Sequence, residues 1–181
     1  MADTLTTKDI LLIQGRRLFW ARGYSNVSVR EIARAAEVDV ALISRYYGSK
    51  LKLYEATLVD VPEIDACHFP DAQTLVDRIT LIFVTANRDS SEPSPLRLFL
   101  MNAQDAEVGE MTRACFQSKW QNPLEQIIGD AGKAAQFSAV MFGFSVAEKS
   151  LNLPGIPDHT TPEYEQRFRY LLQSALAGPE I

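Results

Sequence analysis

Residues 28–50 read SVREIARAAEVDVALISRYYGSK, and this stretch decides the fold. Ser28 and Glu31 stand three positions apart, which is the spacing of a capping box at the start of a helix. Asp39 is a second residue of a type that caps helices, and it predicts another helix that runs to about Tyr47. The sequence therefore predicts two short helices joined by a tight turn, which together form a helix-turn-helix unit.

The second of these helices has a face of small, nearly chargeless residues that is not apolar enough to be core. Val40, Ala41 and Ser44 lie on that face. A helix that enters the DNA major groove needs such a face, because small side chains let it approach the base edges. Arg45 and Tyr46 can reach phosphates, and Arg45 can also reach a guanine edge. The alternative interpretation is a plain helical corner whose polar face is solvated.

Two further residues are candidates to anchor DNA phosphates. The helix that begins at Ser28 presents backbone amides at its N-terminus, and helix N-termini bind phosphate groups. Lys50 supplies a positive charge at the start of the following helix. We expect both anchors to act on any DNA sequence alike, because phosphates carry no base information.

The rest of the chain is predicted to be helical, because apolar residues recur at helical spacing and the hairpin turns Asn-Gly and Asp-Gly are absent. A first helix ends at Gly23, and Pro123 is expected to kink or split a long one. The later helices are predicted over residues 50–59, 72–88, 95–106, 109–129, 131–151 and 162–178. The predicted fold class is all-α, with a helix-turn-helix domain of three helices over 1–59 and a helical domain over 60–181.

The composition is that of an ordinary globular protein. The 181 residues are 46% hydrophobic and 23% charged, enough for one large domain or two modest ones without disulfide support. Cys67 and Cys115 make no disulfide framework and indicate a reduced cytosolic protein. No apolar run approaches the roughly 20 residues of a membrane span, and the polar start MADTLTTKDI has no signal-peptide core. We expect a cytoplasmic protein that makes no membrane contact.

The charge is divided unevenly along the chain. The net charge is −5, but the first 59 residues contain nine basic and six acidic side chains and carry +3, so the remainder carries −8. A basic head on an acidic body is expected when only one part of a protein contacts phosphates. The excess is small, and chance also explains it.

No catalytic or metal-binding pattern emerges from the sequence. His68 and His159 lie in loop-like stretches, and the adjacent Cys67 and His68 do not direct both side chains at one atom. The segment EIDACHFPD, residues 63–71, gathers mixed ligand types without zinc-like spacing. Neither a phosphate-binding loop nor a dinucleotide fingerprint is present. We therefore expect no enzyme activity, no cofactor and no metal.

Residues 18–58, LFWARGYSNVSVREIARAAEVDVALISRYYGSKLKLYEATL, resemble the DNA-binding domain of the tetracycline repressor (TetR) family of regulators. The resemblance covers some forty consecutive residues without a gap, and the pattern is specific. The matching residues are Leu18, Phe19, Arg22, Gly23, Tyr24, Ser28, Val29, Arg30, Ile32, Ala33, Ala36, Val38, Tyr46, Tyr47, Gly48, Ser49, Lys50, Leu53 and Tyr54. The remaining two-thirds of the chain resembles the family only in architecture.

The resemblance implies a role for each matching position. Ser28 and Lys50 would contact phosphates, and Arg30 would enter the major groove from the first helix of the pair. The reading face would be Val40, Ala41, Ser44, Arg45 and Tyr46, and the core would contain Phe19, Ile32, Ala33, Val38, Ile43 and Tyr47. Glu37 departs from the family, which has glycine in this turn. Either Glu37 adopts a left-handed conformation at about 1 kcal/mol or the turn differs.

The family also implies a homodimer on a palindromic operator. One reading helix contacts too few base pairs for specificity, so two are needed about 34–36 Å apart. The family pairs its last two helices between subunits, which here are the helices over 131–151 and 162–177. The predicted dimer interface is Phe137, Val140, Met141, Phe144, Phe168 and Leu172. An internal core helix is the alternative for 131–151.

The helical body is where the family binds small molecules, so we expect a mostly apolar effector there. The predicted pocket residues are Phe83, Phe99, Met101, Phe116, Trp120, Met141 and Phe142, although an aromatic at helical spacing is more often core. The expected function is that of a transcriptional regulator, a repressor, that a small molecule releases from its operator. The other class considered is an all-helical protein–protein adaptor that does not bind DNA.

Overall fold

The computed structural model describes residues 5–86 and 92–177, and that part of the chain contains helices and loops but no strand. The all-α prediction is confirmed. The α-helices are α1 Thr7–Arg22, α2 Val29–Ala35, α3 Ala41–Tyr47, α4 Lys50–Val59, α5 Ala72–Thr85, α6 Pro95–Asn102, α7 Gly109–Phe116, α8 Asn122–Ile128, α9 Ala131–Lys149 and α10 Pro162–Ala177. None of the described helices is long and apolar enough to cross a membrane.

The chain packs as two compact units that are not continuous in sequence. The first unit comprises Met1–Pro62 and Ser90–Phe116, and the second comprises Glu63–Asp89 and Gln117–Ile181. Helices α6 and α7 therefore pack with the helix-turn-helix segment. The division into a helix-turn-helix domain over 1–59 and a helical domain over 60–181 stays a prediction.

The helix starts follow the capping residues, with one exception. Ser28 caps α2 through its side chain, as predicted, and Ser49 caps α4 in the same way. The N-cap of α3 is Val40 rather than Asp39. Asp39 lies one residue earlier, and its Oδ1 accepts a hydrogen bond from the amide of Ala41 at 2.7 Å. The prediction that Asp39 is the cap was one residue off, because its side chain forms a local turn before the helix begins.

The turn between α2 and α3 is a Schellman motif with a glutamate in the left-handed position. Glu37 has φ of 56°. The amide of Val38 donates to the carbonyl of Ala33 at 3.0 Å, and the amide of Glu37 donates to that of Arg34 at 3.1 Å. These two bonds satisfy carbonyls that the end of α2 leaves open. The turn thus keeps the geometry that glycine would give it.

The long helix predicted over 109–129 is divided into three segments. A π-helical turn, Gln117–Gln121, separates α7 from α8, and Pro123 lies in the first turn of α8. Proline has no amide to donate to the Lys119 carbonyl four residues earlier. The amide of Ile64 donates to that carbonyl at 3.0 Å. Pro123 therefore breaks the helix as expected, and a second segment compensates for its missing donor.

Three other predicted helices end early. The described helices stop at Thr85, Asn102 and Lys149, whereas the periodicity predicted ends at residues 88, 106 and 151. Helix ends are set by capping and packing, which periodicity does not report. The predicted end residues Arg88 and Gly178 lie outside the described part of the chain.

The core of the first unit is built around three aromatic rings. Phe19, Tyr24 and Tyr54 lie 5.4–5.6 Å apart between ring centroids, and all three are buried. Gly15 lets α1 approach α4, because a Cβ at this position would lie 3.3 Å from the Leu53 side chain. The predicted core residues Phe19, Ile32, Ala33 and Ile43 are buried, whereas Val38 and Tyr47 are only half-buried.

Helix α6 is tied to the end of α1 by a buried asparagine. Asn102 is fully buried, its Oδ1 accepts from the amide of Tyr24 at 2.7 Å, and its Nδ2 donates to the carbonyl of Phe19 at 3.1 Å. Gly23 lies at this contact with φ of 85°, and a Cβ there would be 3.1 Å from the carbonyl oxygen of Met101. The corner after α1 therefore needs both the glycine and the asparagine.

The second unit has its own aromatic core, formed by α5, α9 and α10. Phe83 stacks on Phe168 with centroids 4.2 Å apart, and Phe144 contacts both Phe168 and Tyr164. Arg169 of α10 forms ion pairs with Asp77 and Glu165. Ile82 of α5 is 48% exposed.

Candidate nucleic-acid interface

The small face of α3 lies on the surface of the first unit. Ala41, Ser44 and Arg45 are exposed, and Val40 and Tyr46 are 40% and 39% exposed. Ile43, on the opposite side of the same helix, is 1% exposed. The helix therefore buries one edge and presents the predicted reading face to solvent. That this face reads DNA stays a prediction.

Contacts at its C-terminal end hold α3 in place. Gly48 ends the helix with φ of 83°, and its amide donates to the Ser44 carbonyl at 2.9 Å. The hydroxyl of Tyr47 donates to the carbonyl of Lys8 in α1 at 2.7 Å. Since α3 is only seven residues long, it depends on such contacts rather than on its own propensity.

Ser28 is exposed, but its polar groups are already engaged. Its hydroxyl and its amide donate to the Glu31 carboxylate at 2.9 and 2.8 Å, and the Glu31 amide donates back to the hydroxyl at 3.2 Å. The sequence predicts amides at this helix start that are available to phosphate. Those of Ser28 and Glu31 are not, because the capping box uses both donors.

The carboxylate of Glu31 links the start of α2 to the end of α1. Arg22 donates to it at 2.9 Å through Nη1 and to the carbonyl of Asn26 at 3.1 Å through Nη2. Hydrogen bonds from the amide and hydroxyl of Ser28, and then from Arg22, lower the pKa of Glu31 to about 2. Glu31 is therefore ionised at neutral pH, and it places a negative charge beside the predicted phosphate contact.

Arginines on α2 and α3 provide exposed positive charge. Arg30 and Arg34 lie exposed on α2, and the guanidinium of Arg45 is 6.0 Å from the centroid of the Tyr46 ring. Guanidinium groups contact phosphates or guanine edges. The predicted residues Arg30 and Arg45 thus have the exposure that DNA contact requires.

Lys50 differs from the other predicted DNA-binding residues because it is half-buried. Its Nζ lies 3.9 Å from the centroid of the Tyr24 ring. Burial lowers the pKa of Lys50, while the charges of Glu107, Asp105 and Glu31 oppose that shift. The ammonium group therefore rests on an aromatic surface in an acidic environment.

Sequence reasoning missed the residues of the α6–α7 turn that contact this corner. Asp105 accepts from the Ser25 hydroxyl at 2.5 Å, and Glu107 accepts from the Tyr24 hydroxyl at 2.8 Å. These partners lie about eighty positions from one another in the chain, so neither periodicity nor a motif could pair them.

The predicted pocket residues divide between the two units. Phe99 and Phe116 pack edge to face in the first unit, with centroids 5.1 Å apart. The second unit contains Phe83, Trp120, Met141 and Phe142. Phe83 and Met141 are buried among its core residues. Met101 is 41% exposed in the first unit. The ligand pocket itself stays a prediction.

Most of the predicted dimer-interface residues face the interior of the second unit. Phe137, Met141, Phe144, Phe168 and Leu172 are each at most 5% exposed in the single chain. A side chain that is buried within its own subunit offers no surface to a second subunit, so these five assignments were wrong. Val140 is half-buried. Helical spacing revealed the apolar faces of α9 and α10 but not which neighbour covers them.

The cluster over residues 63–71 does not assemble three metal ligands. Nδ1 of His68 lies 2.7 Å from Oδ2 of Asp65, and Oδ1 of Asp65 accepts a hydrogen bond from the Cys67 amide. Within residues 5–86 and 92–177, no group of three or more His, Cys, Asp or Glu side chains could hold a metal ion.

Comparison with known sequences identifies the N-terminal segment. A family model described as "Bacterial regulatory proteins, tetR family" matches residues 11–57. The probable HTH-type transcriptional regulator YttP of Bacillus subtilis is 45% identical over 51 residues, which are 28% of this chain and 25% of YttP. This chain thus spans about a quarter of the length of that curated relative.

Solved structures with low identity share the fold of nearly the whole chain. SCO4454 of Streptomyces coelicolor, a TetR-family regulator, has a TM-score of 0.66 at 19% identity, with 94% of each chain covered. NalD of Pseudomonas aeruginosa has a TM-score of 0.67 at 16% identity, with 95% of each covered. CifR, a TetR-family regulator solved with a 26-base-pair operator, has a TM-score of 0.64 at 19% identity, with 93% of this chain and 94% of CifR covered.

The matched segment, the helix-turn-helix geometry and the fold agree with one another. Residues 11–57 therefore match the model of the TetR family of bacterial regulatory proteins, and the chain has the fold of TetR-family structures.

Proposed function

We propose that this protein is a transcriptional regulator that binds double-stranded DNA through α3. The observation that carries the proposal is the exposed face of small residues on α3, next to Arg45, with Ile43 buried behind it. A small, non-acidic face lets a helix enter the major groove. Arg30 and Arg45 contact base edges or phosphates, and Lys50 contacts a phosphate.

The regulator acts as a repressor on a palindromic operator. NalD is described as a secondary repressor of an efflux pump, and CifR was solved with operator DNA. A repressor of this kind blocks transcription by occupying its operator. Base recognition at Val40, Ala41 and Ser44 relies on contact with thymine methyl groups, because these side chains offer few hydrogen-bonding atoms.

The active form is a homodimer that associates through the outward faces of α9 and α10. On α9 the exposed residues Gly132, Ala135, Ala139 and Gly143 follow one another at helical spacing, and Tyr170 of α10 is 67% exposed. Small residues allow two helices to approach closely, and an exposed tyrosine supplies area at an interface.

A small molecule bound in the predicted helical domain, residues 60–181, releases the DNA. It needs only to favour a dimer whose two reading helices no longer fit successive grooves. Screening compounds for thermal stabilisation identifies such an effector, because a ligand that binds the folded state raises the melting temperature.

DNA-binding measurements with three variants test the main proposal. Arg45→Ala should weaken binding to the operator, and Lys50→Ala should weaken binding to all duplexes and lower the salt slope by about one unit. Arg78→Ala is the control, because Arg78 is an exposed arginine of α5 in the second unit. If the parent shows no salt-dependent DNA binding, the adaptor function becomes the better explanation.

The dimer surface is tested separately by sedimentation. Tyr170→Glu should shift the parent from dimer to monomer, because it places a charge in the proposed interface. Tyr170 is mostly exposed, so the folded subunit should keep its helical circular dichroism. A dimer that is unaffected by this substitution would exclude Tyr170 from the interface.

A further inference from the structure

Tyr24 forms a rigid platform beside the proposed phosphate contact of Lys50. Its ring is 3% exposed and packs against Phe19 and Tyr54, with centroids 5.6 and 5.4 Å away. Its amide donates to Asn102 at 2.7 Å, and its hydroxyl donates to Glu107 at 2.8 Å. Backbone, ring and hydroxyl are thus each held by a different partner, so the ring has little freedom to turn.

The ammonium group of Lys50 lies directly on this platform. The distance from Nζ to the ring centroid is 3.9 Å, whereas the other cation–ring pairs described in the chain are 5.8–6.0 Å apart. A cation this close to a ring face is attracted by the ring quadrupole. The hydrogen bond from the Tyr24 hydroxyl to a carboxylate makes the ring more electron-rich and so strengthens the attraction.

We infer that Tyr24 is a positioning residue that orders Lys50 for a DNA phosphate, with Glu107 holding the Tyr24 hydroxyl. The inference rests on the proposed function. An exposed lysine loses side-chain entropy when it is fixed on a ligand. Lys50 is already ordered in the free protein, so its side chain loses less entropy when DNA binds.

Lys52 offers an internal comparison on the same helix. It is exposed, and its Nζ pairs with Glu55 at 2.6 Å rather than with an aromatic ring. Substitution of Lys52 removes the same charge from α4 but does not disturb the Tyr24 platform. Any effect common to both lysines reflects charge, and any effect special to Lys50 reflects positioning.

A double-mutant cycle in DNA affinity tests the inference. Binding of a labelled duplex of about 30 base pairs and arbitrary sequence is measured at roughly 50 mM salt, where phosphate contacts dominate. Lys50→Ala should weaken duplex binding in the parent. In the Tyr24→Leu background this weakening should be smaller by at least about threefold, the size of a modest cation–π contact. Tyr24→Phe keeps the ring and should preserve most of the coupling. The cycle with Lys52→Ala should be additive.

Nuclear magnetic resonance of the parent protein tests the same arrangement without relying on a core substitution. A ring current 3.9 Å away should shift the Hε protons of Lys50 upfield of those of Lys52. Equal shifts for both lysines, or an additive Tyr24–Lys50 cycle in a parent that binds DNA, would overturn the positioning role. A parent that binds no duplex at all would instead refute the proposed function.

Discussion

Replacing Glu37 by glycine should stabilise the protein, because Glu37 holds a backbone conformation that favours glycine. Its φ is 56°, and it is the C′ residue of the Schellman motif that ends α2. The left-handed conformation costs a residue with a Cβ about 1–2 kcal/mol. The side chain of Glu37 is exposed, so its removal leaves no cavity.

The expected gain is smaller than the strain that is relieved. Glycine also gains freedom in the unfolded chain, which offsets about 0.4–1 kcal/mol. The net increase in the free energy of unfolding for Glu37→Gly is therefore about 0.5–1 kcal/mol. For a chain of this size, that corresponds to a rise of about 1–4 °C in melting temperature.

Thermal unfolding of a small variant series measures the effect. Glu37→Ala keeps a Cβ and should give no gain, and Glu37→Asn should lie between alanine and glycine because asparagine tolerates this conformation. Protein concentration must be constant, since self-association also changes the melting temperature. A glycine variant no more stable than the alanine variant would show that the turn is not strained.

Charge and strain at Glu37 can be separated by DNA binding. Glu37→Gln removes the negative charge but keeps the Cβ, so it should leave stability nearly unchanged. It should tighten DNA binding at low salt if α3 faces phosphates, because a nearby carboxylate repels them. An unchanged affinity would indicate that residue 37 lies away from the DNA backbone.

Three other predictions concern the contacts that hold the helix-turn-helix unit and the aromatic core of the second unit. Glu31→Gln should be less stable than the parent at neutral pH. That difference should disappear as the pH falls from about 4.5 to about 2, because the stabilising carboxylate has a lowered pKa; a pH-independent difference would refute it. Asn102→Ala should lower the free energy of unfolding by about 2–4 kcal/mol in urea, since it leaves the buried Tyr24 amide unsatisfied. Phe168→Ala should cost about 3–5 kcal/mol in the same assay, and a cost below 1 kcal/mol would contradict its place in the core.

The local signals in the sequence predicted the helix-turn-helix unit well because its geometry is set by neighbours in the chain. Three features depend on short segments: the capping box at Ser28, the left-handed option at Glu37 and the exposed face that begins at Val40. The residues that form each feature lie at most six positions apart. Capping and helical spacing are short-range effects, so the sequence contains them directly.

Only the tertiary structure decided which apolar faces are covered and by what. Phe137 and Phe168 have the same helical spacing whether they meet a second subunit or their own core, and the folded chain buries both. The contacts that join Tyr24 to Asn102 and Glu107 bridge some eighty positions. Such pairs depend on how the chain returns to itself, and no local propensity encodes that path.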